Sequence, residues 1–90
     1  MKTKIAILGS TGSIGNTLLN IVKKDIKNFE VVLLTANKNN KKLIQQAKNF
    51  KVKNLIITNK SSYKKIASKY KRKINIYNSF DDLKKIFSNK

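Results

Sequence analysis

The stretch Ile5-Ala6-Ile7-Leu8-Gly9-Ser10-Thr11-Gly12-Ser13-Ile14-Gly15 decides the fold. Four continuous apolar residues, Ile5–Leu8, predict a short strand buried on both faces. Three glycines at a spacing of three follow at once. Ile14, Leu18, Ile21 and Val22 then recur at helical spacing, which predicts a helix over Ser13–Lys24 with those residues on its buried face.

The same alternation continues downstream. Val31-Val32-Leu33-Leu34 predicts a second buried strand. Asn39 or Asn40 can cap a helix with Leu43, Ile44, Ala47 and Phe50 on one face. Leu55-Ile56-Ile57 predicts a third strand, and Ser61 or Ser62 can cap a helix carrying Tyr63, Ile66, Ala67 and Tyr70. Ile74-Asn75-Ile76-Tyr77 predicts a fourth strand. Ser79, with Asp82 three residues on, resembles a capping box that opens a last helix with Phe80, Leu83, Ile86 and Phe87. Strands alternating with helices over short connections predict an α/β fold, a parallel sheet with flanking helices. The pattern stops after a helix, where it calls for another strand. The expectation is that residues 1–90 are the amino-terminal part of a domain, with no second domain present.

Composition narrows the chemistry. The 90 residues contain no cysteine and no histidine. Disulfides, thiolate metal sites and the commonest general base are therefore absent. The four acids are Asp25, Glu30, Asp81 and Asp82. The adjacent pair Asp81 and Asp82 stands at a predicted helix start, which favours capping over metal binding. No catalytic residue and no metal ligand is assigned to the chain. The longest apolar run near the start, Ile5–Leu8, is too short for a signal-peptide core or a membrane span, so a cytoplasmic protein without a membrane partner is expected.

The net charge is +17, from 21 basic residues against four acidic ones. A nucleic-acid partner is the obvious reading of such an excess. Yet Arg72 is the single arginine, and arginine is the residue suited to base edges and bidentate phosphate contacts. The lysines are spread over every segment and accompany many Asn and Ile, all encoded by AT-rich codons. Compositional drift accounts for them, and no specific nucleic acid is expected.

The glycine turn carries the functional signal. Gly9 lets the chain leave the strand sharply, Gly12 lets the backbone approach a pyrophosphate, and Gly15 allows helix and strand to pack closely. The helix N-terminus offers free N–H groups and a partial positive charge to phosphates. In folds of this kind an acid at the end of the second strand takes the ribose 2′-hydroxyl of NAD. Here that strand runs into Thr35-Ala36-Asn37-Lys38-Asn39, without an acid. Lys38 can pair with a 2′-phosphate, and Asn37 and Asn39 can hydrogen-bond to it, which points to NADP.

Two segments together resemble one family. Ile7-Leu8-Gly9-Ser10-Thr11-Gly12-Ser13-Ile14-Gly15 is similar to the glycine signature of the 1-deoxy-D-xylulose 5-phosphate reductoisomerases. Phe29–Asn39 is similar to that family's second strand and following loop, and Asn39–Leu43 with Gln45-Gln46-Ala47 extends the likeness. The resemblance implies a Rossmann-like domain. It implies NADPH on Gly9, Ser10, Thr11, Gly12, Ser13, Ile14 and Gly15, with the adenosine 2′-phosphate at Asn37, Lys38 and Asn39. It further implies conversion of 1-deoxy-D-xylulose 5-phosphate to 2-C-methyl-D-erythritol 4-phosphate in the non-mevalonate isoprenoid pathway, by a homodimer using Mg or Mn. The family's metal and substrate residues lie beyond the matching region, so the 90-residue chain alone is expected to be inactive. The family often has glycine where Asn37 stands; asparagine tolerates positive φ, so the loop can keep its shape.

Three alternatives compete. Another NADP-dependent reductase, of the semialdehyde dehydrogenase or extended short-chain type, shares the GxxGxxG turn. A small basic nucleic-acid-binding protein would need clustered arginine or free aromatic rings, and only Tyr77 falls off the apolar faces. A regulatory NADP-sensing domain would carry the same turn with no chemistry.

Overall fold

The computed structural model describes residues 2–70 and 73–83. Among the described residues four strands alternate with three helices: β1 (Thr3–Ile7), α1 (Ser13–Lys24), β2 (Phe29–Ala36), α2 (Asn40–Phe50), β3 (Asn54–Ile57), α3 (Lys60–Tyr70) and β4 (Asn75–Tyr77). A 3-10 turn over Phe80–Asp82 follows. The strands form one parallel sheet in the order β1-β2-β3-β4. The α/β expectation holds, including the bounds of α1. Arg72, Ile86 and Phe87 lie outside the described residues.

One apolar cluster joins the helices to the sheet. It contains Ile7, Val31, Leu34, Ala36, Leu55 and Ile57 from the strands, with Leu19, Val22, Leu43, Ile44, Ala47 and Ile66 from the helices. All three helices therefore cover the same face, as a sheet built steadily in one direction by crossovers of one hand requires. Leu34, Leu43, Leu55 and Ile57 are fully buried. Each such side chain contributes about 1.5–3 kcal/mol of hydrophobic stabilisation. Leu33 and Ile56 are equally buried but, by strand alternation, belong to the opposite face.

Caps set the helix ends. The Asn39 side-chain oxygen accepts from Lys42 N–H and starts α2. Asn59, not Ser61 or Ser62, starts α3 by accepting from Ser62 N–H at 3.0 Å. The helix begins at Lys60, so both serines lie inside its first turn, and the Ser62 hydroxyl donates to the Lys38 carbonyl. The Ser79 hydroxyl oxygen accepts from Asp81 N–H, so the expected serine cap is present at a 3-10 turn. Lys51 ends α2 in the left-handed region, with φ of 56°.

Two expectations about burial fail, for one topological reason each. β1 is not buried on both faces: Thr3, Lys4 and Ala6 are exposed and only Ile7 is buried. Among the described residues it pairs with β2 alone, so one of its sides has no neighbouring strand there. On α1, the predicted inward residues Ile14, Leu18 and Ile21 are 79%, 43% and 56% exposed, while Gly15, Leu19 and Val22 are buried. Gly15 must face the turn, so the residues four and seven positions on go inward with it. Ile14, Leu18 and Ile21 each precede that set by one residue and rotate about 100° away from it.

Candidate functional site

The glycine turn and the 37–39 loop lie side by side, because both leave the carboxyl ends of neighbouring parallel strands. Thr35, near the end of β2, ties them together. Its hydroxyl oxygen accepts from Gly9 N–H at 2.8 Å and its carbonyl accepts from Ser10 N–H at 2.9 Å. Thr35 is buried and was not singled out in the sequence, where a threonine in a strand is unremarkable.

The three glycines answer different demands. Gly9 has φ of +67°, a conformation that side chains disfavour. A Cβ at Gly15 would overlap the Gly9 carbonyl oxygen and the Ser10 Cα. Gly12 is unlike both. Its backbone is extended, with φ −83° and ψ 179°, and a Cβ there would meet only the Gly9 carbonyl oxygen, at an ordinary 3.6 Å. The fold makes no demand for glycine at position 12. The missing side chain leaves bare backbone exposed at the entrance to α1.

The turn's amides divide into two sets. Those of Gly9, Ser10, Gly12 and Asn16 are bonded within the protein. Those of Thr11, Ser13, Ile14 and Gly15 make no hydrogen bond to any described residue, and no side chain caps α1. Free amides at a helix N-terminus bind anions. Ser10 departs from the other predicted site residues. It is fully buried, and its hydroxyl donates to Gln46 Oε1 at 2.8 Å, so it shapes the turn from inside.

In the neighbouring loop Asn37, Lys38 and Asn39 are all exposed. Asn37 does not adopt positive φ; Lys51 alone among the described non-glycine residues does. The tolerance of asparagine for that region is not used. Instead its side-chain oxygen accepts from the Thr58 hydroxyl at 2.7 Å, and its amide group donates to no described residue. Ser62 donates its hydroxyl to the Lys38 carbonyl at 2.9 Å. The loop after β3 and the first turn of α3 thus brace the loop after β2, a relationship with no sequence signal because 21 and 24 residues separate the partners.

Other features bear on the alternatives. A cavity of about 480 Å³ between α2 and α3 is lined by Lys41, Lys48, Lys65, Lys69 and Tyr70. The ammonium groups of Lys48 and Lys69 both lie 5.6 Å from the Tyr70 ring centroid, and that ring packs on the core. Tyr77 is half-buried. Neither ring stands free as a platform for base stacking. Among the described residues no three His, Cys, Asp or Glu side chains come together as metal ligands. No described helix is long and apolar enough to cross a membrane.

A parallel sheet with a glycine turn and unpartnered amides at the carboxyl end of its first strand defines a Rossmann-like unit of the nucleotide-binding type. Residues 5–90 match the family profile of 1-deoxy-D-xylulose 5-phosphate reductoisomerase. The chain belongs to that family. The reductoisomerase of Pelagibacter ubique is 55% identical over 86 residues, which are 94% of this chain and 22% of the relative. The solved structure of the Zymomonas mobilis enzyme in complex with NADPH matches 96% of this chain and 23% of its own, at 28% identity and a TM-score of 0.82. A reductoisomerase structure with NADPH, fosmidomycin and magnesium matches all of this chain and 22% of its own, at 25% identity and a TM-score of 0.83. The chain spans about a fifth of the length of these relatives.

Proposed function

We propose that this chain is the NADPH-binding portion of a 1-deoxy-D-xylulose 5-phosphate reductoisomerase, which converts 1-deoxy-D-xylulose 5-phosphate to 2-C-methyl-D-erythritol 4-phosphate. Gly12 carries the reading: a glycine the fold does not need, set among unpartnered amides. A cofactor pyrophosphate fits bare backbone of that kind. The amides of Thr11, Ser13 and Ile14 donate to its oxygens, and the partial positive charge of the α1 N-terminus favours it. Gly9, Ser10 and Gly15 give the turn its shape. Lys38 pairs with the 2′-phosphate, and the outward groups of Asn37 and Asn39 add hydrogen bonds. The absence of an acid after Leu34 leaves NADH without its ribose partner. Bound in this way, NADPH supplies the hydride for the reduction.

A divalent metal and the substrate phosphate belong, in this reading, to parts of the polypeptide beyond these 90 residues. The metal-bound relative and the lack of a ligand cluster among the described residues support that division. The 90-residue segment alone is accordingly inactive. The complete enzyme is a cytoplasmic homodimer acting on a small phosphorylated substrate, with no specific nucleic acid and no membrane partner.

The test uses the full-length protein carrying this segment. Titration should show tighter binding of NADPH than of NADH. Gly12→Val should abolish binding of both while leaving the far-UV circular dichroism unchanged. Retained binding in that variant would move the phosphates elsewhere and refute the assignment.

A further inference from the structure

Gln46 sits on the buried face of α2 and is 6% exposed. It touches the glycine turn at two places. Its Nε2 donates to the Ser10 carbonyl oxygen at 2.8 Å and to Asn16 Oδ1 at 3.0 Å. Its Oε1 accepts from the Ser10 hydroxyl at 2.8 Å. Both amide protons and the carbonyl oxygen are therefore in use. Ser10 precedes the free amides of the turn, and Asn16 follows them in the first turn of α1. One side chain from a third element, 36 and 30 residues away, thus holds both ends of the segment.

The consequence follows from peptide geometry. In a trans peptide the carbonyl of one residue and the N–H of the next point in opposite directions. Gln46 draws the Ser10 carbonyl inward, toward α2. The N–H of Thr11, in the same peptide plane, is thereby aimed outward. Asn16 adds a second restraint through its side chain: its Oδ1 accepts from Gln46 while its Nδ2 donates to the Thr11 carbonyl oxygen at 3.5 Å. That contact holds the Thr11–Gly12 peptide, which lies between the free amides of Thr11 and Ser13.

We propose that Gln46 is a positioning residue for the pyrophosphate of NADPH: through Ser10 and Asn16 it fixes the peptide planes whose amides receive the phosphates. The proposal rests on the reading of the glycine turn as the NADPH site. Gln46 itself does not touch the cofactor. Its contribution is to hold the donors in place before the cofactor arrives, so that binding does not have to order them.

The experiment compares Gln46→Met with the unaltered full-length enzyme. Methionine keeps the length and apolar stem of the side chain and removes all three hydrogen bonds. The readouts are Kd for NADPH, Kd for adenosine 2′-monophosphate, KM and kcat. Adenosine 2′-monophosphate carries the 2′-phosphate but no pyrophosphate, so it reports on the 37–39 loop alone. Kd and KM for NADPH should rise about tenfold, a loss of about 1.4 kcal/mol. The affinity for adenosine 2′-monophosphate and kcat at saturating NADPH should not change. Asn16→Ala, at a half-buried position, should shift NADPH binding in the same direction by a smaller factor, and it decides the matter where Gln46→Met does not fold. Equal weakening of NADPH and adenosine 2′-monophosphate would mean general loosening of the domain and overturn the proposal. Unchanged NADPH binding in both variants, with binding still lost in Gly12→Val, would overturn it and leave the site reading intact. Retained binding in Gly12→Val as well would sink both together.

Discussion

The Thr58 hydroxyl donates to the Asn37 side-chain oxygen at 2.7 Å, across the carboxyl ends of β2 and β3. The same two loops are linked by Asn59 N–H to the Asn37 carbonyl at 3.0 Å, and the first turn of α3 adds the Ser62 hydroxyl, which donates to the Lys38 carbonyl. The loop proposed to recognise the 2′-phosphate is therefore held by its neighbour. Thr58 thus occupies the oxygen of Asn37, while the amide group of that side chain donates to no described residue.

Thr58→Val removes this bond and keeps the side-chain shape. A net hydrogen bond is worth about 0.5–1.5 kcal/mol, so NADPH affinity should fall about twofold to tenfold. NADH affinity should stay the same. Parallel titrations with the two cofactors check this, and an equal loss for both would separate Thr58 from 2′-phosphate recognition.

Lys38→Glu should act more strongly in the same direction. A hydrogen bond to a charged group is worth about 1.5–3 kcal/mol, which is about tenfold or more in affinity. The expected result is selective loss of NADPH binding, read as the ratio of the two KM values. No change in that ratio would make Lys38 one more surface lysine.

Gly15→Ala and Gly12→Ala should separate folding from binding. At Gly15 the added methyl overlaps the backbone of Gly9 and Ser10, which cannot move aside like a flexible side chain. Overpacking of this kind costs about 1–3 kcal/mol. At Gly12 the methyl meets only an ordinary contact, so stability should hold while cofactor affinity falls. Thermal denaturation and NADPH titration of both variants check the pair; a stable Gly15→Ala protein would contradict the packing.

Lys51→Gly should stabilise the fold. Lys51 is exposed and holds φ of 56°, where a side chain costs about 1 kcal/mol or more and glycine sits freely. The midpoint of denaturant unfolding should rise with no effect on cofactor binding.

The charge of +17 makes its own prediction. Binding to DNA or RNA should be weak, independent of sequence and lost steeply as salt rises. Thermal stability should increase with moderate salt, as repulsion among the lysines is screened. Tight, sequence-selective binding at physiological salt would revive the nucleic-acid alternative.

The sequence alone determined the order of the elements, the bounds of α1, the parallel α/β class and the position of the glycine turn. Those features are local: apolar runs, helical spacing and glycine placement act within a few residues of one another. The loop at Asn37, Lys38 and Asn39 was legible for the same reason, as the segment that follows a strand. The tertiary structure decided which apolar stripe of α1 goes inward. Gly15, Leu19 and Val22 and the stripe of Ile14, Leu18 and Ile21 are both apolar, and only the contact of Gly15 with the turn chooses between them. It also decided that, among the described residues, β1 pairs with β2 alone, which depends on strand order. The supports of the site were settled at the same level. Thr35, Gln46, Thr58 and Ser62 reach their partners across 21 to 36 residues of chain. Gln46 left one trace in the sequence, a polar residue among Leu43, Ile44 and Ala47 on a buried helical face. What that residue holds was unreadable there, because hydrogen bonds between distant segments exist only once the sheet has brought their ends together.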